Sequence, residues 1–251
     1  MKKFFMFLAS AAVAMSFVAC NGDKKDDDLI DDDKKGEESN LPASLQGSDY
    51  FVLVMDGETY AKIENKVTAD IRMQSGDDEA STRPLYVWNG YAGGTAEGLN
   101  FYGVAGEYMC LVVKPDAGWS GFGEFLKNTD PSFSKMSGIT GDYYFHFAYK
   151  GAANTVHALY PGWGTKNYQF SVGDGQPFVD SGNTFNFLTP ISNDGKFVAN
   201  EWNEYEIKVS DMGIDFTADP AEPLGQNIFC GLSGGVAGTT LSLDAVFFYK
   251  K

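Results

Sequence analysis

The sequence predicts an all-β sandwich of antiparallel sheets with one or two short helical turns. Short runs in which apolar and polar residues alternate recur along the chain, and turn-forming residues separate them. Glycine is abundant at 29 residues, aromatic residues make up 15% of the chain, and no long helical periodicity interrupts the pattern. The helical turns are predicted in residues 130–137, which open with Asp-Pro-Ser.

The C-terminal residues 200–249 contain three strand patterns in a row. In residues 203–209, apolar side chains alternate with charged ones, which places the apolar set on one face. Residues 227–233 alternate in the same way. In the closing strand, the residues predicted to share a face are Leu241, Leu243, Ala245 and Phe247. Three glycines separate the last two strands, so a hairpin is predicted between them.

Two motifs in this region resemble the C-terminal half of a galactose-binding-like jelly roll, the fold of many non-catalytic carbohydrate-binding modules. A Trp-x-x-Tyr-x-Ile motif begins at Trp202, and a closing Leu-x-Leu-Asp-x-Val-x-Phe motif begins at Leu241. The resemblance implies a single jelly-roll β-sandwich domain over residues 41–251. It also implies that the protein binds a polysaccharide or oligosaccharide and is not an enzyme.

The middle of the chain is similar to domains of outer-surface lipoproteins in polysaccharide-utilisation systems. The motifs that carry this similarity are Leu-Tyr-Val-Trp, Asn-Phe-Tyr-Gly, Gly-Trp-Ser-Gly and His-Phe-Ala-Tyr-Lys, in that order. Such a protein would hold polysaccharide near a transporter or a hydrolase. No ligand-binding residue can be assigned from this similarity.

Residues 1–19 are predicted to be a lipoprotein signal peptide. A short basic start precedes an apolar run that is too short to span a bilayer comfortably. The run ends in Phe-Val-Ala-Cys, which resembles a bacterial lipobox and predicts lipidation of Cys20. Acyl chains contribute roughly 0.8 kcal/mol per buried CH₂, so they would anchor the protein to a membrane. The alternative is an ordinary signal peptide followed by an unrelated cysteine.

Residues 20–40 are predicted to be a disordered acidic tether. They contain nine acidic residues, four lysines and no aromatic residue, and cannot bury enough apolar surface to fold. The acidic run resembles the surface-export signal of certain gram-negative lipoproteins. It predicts an outer-membrane protein that faces the cell exterior, and the alternative is a solvated linker.

The net charge of −15 limits which partners and cofactors the protein is expected to bind. Nucleic acid and anionic lipid head groups are poor partners for such a surface, whereas neutral glycans are compatible with it. The acidic composition also suits Ca²⁺, which takes oxygen ligands. In the modules that the chain resembles, the acid at the position of Asp244 often coordinates a structural Ca²⁺, and the alternative here is an exposed acid on an edge strand. Cys110 and Cys230 are either one disulfide or two buried thiols.

Three glycine-rich aromatic segments, residues 88–91, 118–123 and 160–164, are interpreted as loops that bind sugar. The apolar face of a pyranose stacks on an aromatic ring, and neighbouring polar groups bind its hydroxyls. The candidate ligand-binding residues are Trp163, Tyr160, Trp88, Tyr91 and Trp119. Of these, Trp163 is predicted to be the most exposed. The alternative is that the tryptophans plug the ends of the sandwich, as predicted for Trp202, which begins a core strand.

The sequence lacks a zinc-protease motif, a nucleophile elbow and a Walker loop. His146 lies in an aromatic strand and is predicted to be a hydrogen-bonded core or groove residue. A glycoside hydrolase or lyase needs none of these motifs, only a carboxylate pair, so it is one alternative function. A structural or adhesive surface lipoprotein that binds protein is the other.

Overall fold

The computed structural model describes residues 41–74, 81–88, 90–114, 120–233 and 237–251. The chain divides into two compact units, Met1–Gln46 and Gly47–Lys251. Of the first unit, residues 41–46 are described, and they contain a 3-10 turn at Ala43–Leu45. The second unit contains the sandwich and begins at Gly47, whereas the sequence predicted a domain from residue 41. The predicted signal peptide, tether, Cys20 and Trp119 lie outside the described residues.

The predicted all-β sandwich is confirmed. The seven-stranded sheet contains β1 (Ser48–Val54), β2 (Val67–Asp70), β4 (Tyr91–Gly93), β5 (Met109–Val113), β7 (Tyr144–Lys150), β13 (Asn203–Lys208) and β15 (Thr240–Lys250). The six-stranded sheet contains β3 (Leu85–Trp88), β6 (Ser120–Lys127), β8 (Val156–Trp163), β9 (Lys166–Asn167), β10 (Phe170–Gly173) and β14 (Gly225–Ser233). A separate small hairpin consists of β11 (Val179–Asp180) and β12 (Asn183–Thr184). The arrangement is a jelly-roll β-sandwich.

One strand pair departs from the antiparallel prediction. Strands β1 and β2 are parallel, and the connection between them contains helix α1 (Gly57–Ile63), which Asp56 caps by accepting a hydrogen bond from the Thr59 amide at 2.7 Å. Helix α2 (Val209–Met212) follows β13 directly. The helical turn predicted in residues 130–137 is a 3-10 helix at Phe133–Gly138. Among the described residues, no helix has the length and apolar character needed to cross a bilayer.

The core between the two sheets is largely aromatic. Phe145 from the seven-stranded sheet lies 5.4 Å from Phe229 of the six-stranded sheet, and Phe229 lies 5.7 Å from Phe122. All three rings are fully buried. Both contacts are edge-to-face, and the contact of Phe145 with Phe229 joins the two sheets, so each sheet keeps one further face, directed away from the core.

The closing strand β15 contains a β-bulge that the alternation pattern did not predict. The register shifts between Asp244 and Phe247, and Ala245 has a φ of 52°. Because the bulge adds a residue, the side chains beyond it change faces: Val246 and Phe248 belong to the core. The prediction that Phe247 shares a face with Leu241 is therefore wrong.

The predicted hairpin between the last two strands is also wrong. Strand β14 pairs with β6 and β8 in the six-stranded sheet, whereas β15 pairs with β1, β5 and β7 in the seven-stranded sheet. The connection between them therefore joins one sheet to the other, and of its three glycines only Gly238 is among the described residues. Glycine marks a turn, but it does not determine whether the flanking strands pair with each other.

Candidate functional site

A groove of about 330 Å³ lies on the outer face of the six-stranded sheet. Strands β3, β8, β9 and β14 supply its walls and floor. The side chains most important to it are Trp88, Tyr160, Lys166, Asn167, Gln226 and Asn227. The groove therefore brings together two of the aromatic residues that the sequence proposed for binding. Its volume is at the lower end of the range for small-molecule sites in proteins.

Trp88 forms one side of the groove and depends on a glycine beneath it. A Cβ atom at Gly123 would lie 2.6 Å from Cη2 of the Trp88 indole and 2.6 Å from Oδ1 of Asn227. Real side chains do not approach this closely, so glycine lets the indole lie against strand β6. The ring is half-buried and keeps an exposed part.

Tyr160 forms the opposite side of the groove. Tyr160 on β8 pairs with Cys230 on β14, and Cys230 pairs with Gly123 on β6. Neighbouring strands are about 4.8 Å apart, so roughly 10 Å separates Tyr160 from the glycine on which Trp88 rests. Burial raises the pKa of the half-buried Tyr160 phenol, which stays a neutral hydrogen-bonding group.

Amide groups line the floor between the two rings. The Gln226 side chain is fixed, because its Oε1 accepts from the Ala221 amide at 2.7 Å and its Nε2 donates to the Asn227 carbonyl at 3.0 Å. Oδ1 of Asn227 is buried and has no hydrogen-bond partner within the described part of the chain. Lys166 and Asn167 are exposed at the rim. The described lining contains no carboxylate, so this groove does not hold the carboxylate pair that a glycoside hydrolase needs.

Trp163 is not exposed, and the prediction that it is the most accessible tryptophan is wrong. Residues 160–163 belong to strand β8 and not to a loop, so Tyr160 and Trp163, three residues apart, point to opposite faces. Trp163 is 3% exposed and packs 5.2 Å from Phe133. Its Nε1 donates to the Ala218 carbonyl at 2.8 Å. A ring buried in this way cannot stack on a sugar.

Tyr91, another candidate ligand-binding residue, is also buried and cannot stack on a sugar. Tyr91 is 1% exposed, and its hydroxyl lies 2.8 Å from Nδ1 of His157. Burial lowers the pKa of His157 to about 4, which keeps that imidazole neutral. Both side chains belong to the interior of the sandwich.

Trp202 is half-buried and lies outside the core, contrary to the sequence prediction. It precedes β13, and its Nε1 donates to the Leu99 carbonyl at 3.0 Å. Its ring lies 5.2 Å from the Tyr108 ring at an angle of 88°. Trp202 therefore packs against a surface loop, although it directly precedes a core strand.

Asp244, the candidate metal ligand, is fully buried, so its interpretation as an exposed edge acid is wrong. Its Oδ2 accepts from the Phe101 amide at 3.0 Å, whereas its Oδ1 has no partner among the described residues. Burial and, to a smaller extent, the nearby negative charge of Asp56 raise the pKa of Asp244 to about 7, although the backbone amides of Ala245 and Phe101 act to lower it. Asp56 is engaged through both oxygens, by the Thr59 amide and by Nδ2 of Asn100 at 2.8 Å.

The residues around Asp244 meet part of the requirement for a calcium site. An unpartnered, buried carboxylate oxygen fits a hard cation, which would also relieve the repulsion between Asp244 and Asp56. Within the described residues, no group of three or more His, Cys, Asp or Glu side chains is arranged to hold a metal ion. Any Ca²⁺ there would need further oxygens from backbone carbonyls, amide side chains or water.

The remaining titratable groups that the sequence singled out are structural. His146 is buried, and its two ring nitrogens lie 2.8 Å from the Ala245 carbonyl and 2.8 Å from Oε1 of Glu204, which confirms the prediction for this residue. Cys110 and Cys230 are free thiols on different sheets, which rules out the disulfide alternative in this structure. Burial raises the pKa of the Cys230 thiol to about 12, so it is not a reactive thiolate.

One buried acid was not predicted from the sequence. Glu124 on β6 stands opposite Phe229 of β14, faces the core and is 2% exposed. Neither carboxylate oxygen has a hydrogen-bond partner in the described structure. Burial raises the pKa of Glu124 to about 8. Glu124 is therefore protonated at neutral pH. The sequence around it, in which glycines and aromatic residues alternate, does not indicate a buried acid.

Comparisons with known proteins found similar folds among solved structures. No family model matches the sequence, and no curated protein matches it. A family 30 carbohydrate-binding module has a TM-score of 0.38 and 12% identity, over 71% of this chain and 77% of that chain. A family 11 module from Clostridium thermocellum, in complex with a mixed-linked β-1,3-1,4 tetrasaccharide, has a TM-score of 0.35 and 11% identity, over 71% and 94%. An exo-β-agarase has a TM-score of 0.38 and 11% identity, over 70% and 24%.

The polar residues of the groove were not identified from the sequence. Two glycines in β6 nevertheless indicated that another group lies close to this strand. Gly121 and Gly123 alternate on β6, and glycine inside a strand often marks the close approach of another group. That pattern predicts a ring lying across the strand. It does not predict which strand supplies the ring, because β3 and β14 come from distant parts of the chain.

Proposed function

We propose that this protein is a non-catalytic glycan-binding lipoprotein that holds polysaccharide or oligosaccharide at the outer surface of the cell. The observation that supports it best is the groove between Trp88 and Tyr160, with amide groups on its floor and no carboxylate in its described lining. The two half-exposed rings lie on opposite sides of the groove, so a sugar chain lying in it would contact both. Fixed amides provide donors and acceptors for equatorial hydroxyls.

The cellular part of the proposal rests on the sequence. The lipobox-like run that ends at Cys20 supports a membrane anchor, and the acidic residues 20–40 support display on the exterior. A bound glycan would then stay close to a neighbouring transporter or hydrolase. A tethered binding protein needs no catalytic group of its own for this role.

We also propose that a structural Ca²⁺ binds beside Asp244. The unpartnered Oδ1 of Asp244 is the observation that supports it, together with the closeness of the Asp56 charge. Bound Ca²⁺ would keep Asp244 ionised. Through the contacts of Asn100 and Phe101, it would also hold the neighbouring loop against the sheet.

The test of glycan binding is a pair of ring truncations in the detergent-solubilised full-length protein. Neutral oligosaccharides are screened first, and the affinity of the best ligand is measured by titration calorimetry. Loss of a central aromatic contact costs about 2 kcal/mol, so Trp88→Ala should weaken binding by roughly ten-fold or more. Tyr160→Ala should weaken it similarly.

Tyr86→Ala is the matched control, since it removes a half-buried ring of β3 that packs against Phe125 and lies outside the described groove lining. It should leave the affinity for neutral glycans unchanged. If Trp88→Ala binds the glycan as tightly as the wild type, or if no glycan in a broad panel binds the wild type, the proposed function is wrong.

A further inference from the structure

A second aromatic cluster lies on the seven-stranded sheet, away from the groove. It consists of Trp202, Tyr108, Lys150 and Leu99, and is called here the Lys150 cluster. Lys150 ends β7, and Trp202 precedes the neighbouring strand β13. The three larger side chains are half-buried and Leu99 is 60% exposed, so the cluster is open to solvent.

The ammonium group of Lys150 is held between two rings. Its Nζ lies 4.7 Å from the centre of the Tyr108 ring and 4.7 Å from the centre of the Trp202 ring. It also donates to the Tyr108 hydroxyl at 3.4 Å. Aromatic faces attract a cation, and these contacts fix the position of the charge beside an apolar surface.

The exposed Leu99 sits on a well-ordered loop. Oδ1 of Asn100 accepts from the amides of Tyr102 at 3.0 Å and Val104 at 2.8 Å, which closes the loop on itself. The Leu99 carbonyl accepts from Trp202 Nε1. Because the backbone is fixed by these bonds, the exposure of Leu99 is a built feature of the surface. The Leu99 side chain therefore offers an apolar surface next to Trp202.

Lys150 makes no ion pair among the described residues, unlike the two C-terminal lysines. Lys250 lies 3.5 Å from Asp49 and 3.5 Å from Asp142, and Lys251 pairs with Glu206. In contrast, no carboxylate of the described residues lies within 4.0 Å of Lys150 Nζ. One acid of this region, Glu97, contacts the Tyr108 hydroxyl through its backbone, and with no carboxylate at ion-pair distance the Lys150 ammonium can attract an anion.

We propose that the Lys150 cluster binds a sugar unit that carries a negative substituent, either a carboxylate or a sulfate ester. The apolar face of the sugar would contact Trp202 and Leu99, and the anion would pair with Lys150. This assigns a second, charge-selective site to the sheet opposite the groove. The proposal does not depend on the groove, since the two sites share no residue.

The experiment compares three probes on the full-length protein in detergent: an oligogalacturonate, a sulfated galactan oligosaccharide and a neutral oligosaccharide of similar length. Binding is measured by titration calorimetry at low salt and at about 0.5 M salt, where ion pairs at a surface are screened. Lys150→Met keeps the apolar stem and removes the charge. It should weaken binding of the anionic probe by roughly ten-fold and abolish the salt dependence.

Lys208→Met is the matched control, because it removes the same charge from an exposed lysine of the adjacent strand β13. It should leave the affinity within two-fold of the wild type. Leu99→Glu is a second variant that places a repelling charge on an exposed position, and it should abolish binding of the anionic probe without changing the melting temperature. The probe that responds to these variants identifies carboxylate or sulfate as the substituent.

Three results would overturn the proposal. The first is that neither anionic probe binds the wild type. The second is that Lys150→Met and Lys208→Met lose the same affinity, which would indicate a general charge effect. The third is that Trp88→Ala abolishes anionic binding while Lys150→Met does not, because the groove would then be the anion site. Failure of the neutral oligosaccharide to bind would count against the proposed function of the groove and would not affect the assignment of the Lys150 cluster.

Discussion

The outer face of the seven-stranded sheet and the outer face of the six-stranded sheet both carry aromatic side chains, and they differ in what covers them. On the seven-stranded sheet, Tyr50 and Phe247 are fully buried and lie 5.3 Å apart, and Phe247 stacks 4.5 Å from His146. On the six-stranded sheet, Trp88 and Tyr160 are half-exposed beside a groove. The same residue types therefore form a second core on one sheet and line an open groove on the other.

Part of the cover over the seven-stranded sheet is the loop that contains Asn100 and Phe101. The Phe101 ring lies 6.1 Å from His146, and the Phe101 amide donates to Asp244. Leu99 directly precedes these residues and borders the Lys150 cluster, where its side chain is 60% exposed. Long connections thus decide which aromatic residues contact solvent.

The largest expected effect is on the covered face. Phe247→Ala removes a fully buried ring, and large-to-small substitutions of this kind cost about 3–5 kcal/mol. We expect the free energy of unfolding, measured by denaturant titration, to fall by that amount while the affinity for a neutral glycan is unchanged. Trp88→Ala should show the reverse, with little change in stability. Equal stability losses in the two variants would remove the distinction between the two faces.

Glu124→Gln is expected to change how stability depends on pH. The pKa of Glu124 is raised from 4.5 to about 8, so between these values the folded state holds a proton that the unfolded state has released. Stability contributed by this site is therefore fully present below pH 4.5 and falls as the pH rises towards 8, by a few kcal/mol in total.

The measurement is the melting temperature of both proteins from pH 5 to pH 8. The wild type should lose stability over this range, and Glu124→Gln should lose clearly less. Asp244 contributes a slope of the same sign in metal-free protein, since its pKa is also raised, so part of the slope should remain. Identical pH profiles in the two proteins would show that Glu124 is not buried as an uncharged acid.

The smallest expected effect is the response to a chelator. A ligand present at about 100 times its dissociation constant stabilises the folded state by roughly 2.7 kcal/mol, which corresponds to several degrees for a domain of this size. If Ca²⁺ binds beside Asp244, EDTA should lower the melting temperature by that much. Asp244→Asn should remove the response, whereas Glu58→Gln, an exposed acid of helix α1, should retain it. A wild-type melting curve that EDTA does not change would contradict the calcium proposal.

Much of the fold could be predicted from the sequence, and much less of the site. Alternation of apolar and polar residues located most of the strands, because a side chain in a strand has one of two faces and the hydrophobic effect selects between them. The same reasoning failed for Trp163, since residues 160–164 were interpreted as a loop. Strand β8 continues through them, and the strand period turns Trp163 inward and Tyr160 outward.

The sequence by itself determined the all-β class, the position of most strands and the presence of aromatic residues suited to sugar. Tertiary structure decided which of those residues contact solvent. The bulge at Ala245 moved Phe247 away from the core, and the pairing of both β3 and β14 with β6 brought Trp88 and Asn227 together beside Gly123. Both depend on pairing between strands that are far apart in the chain. Local patterns specify the two faces of a strand but do not specify what will lie against each face.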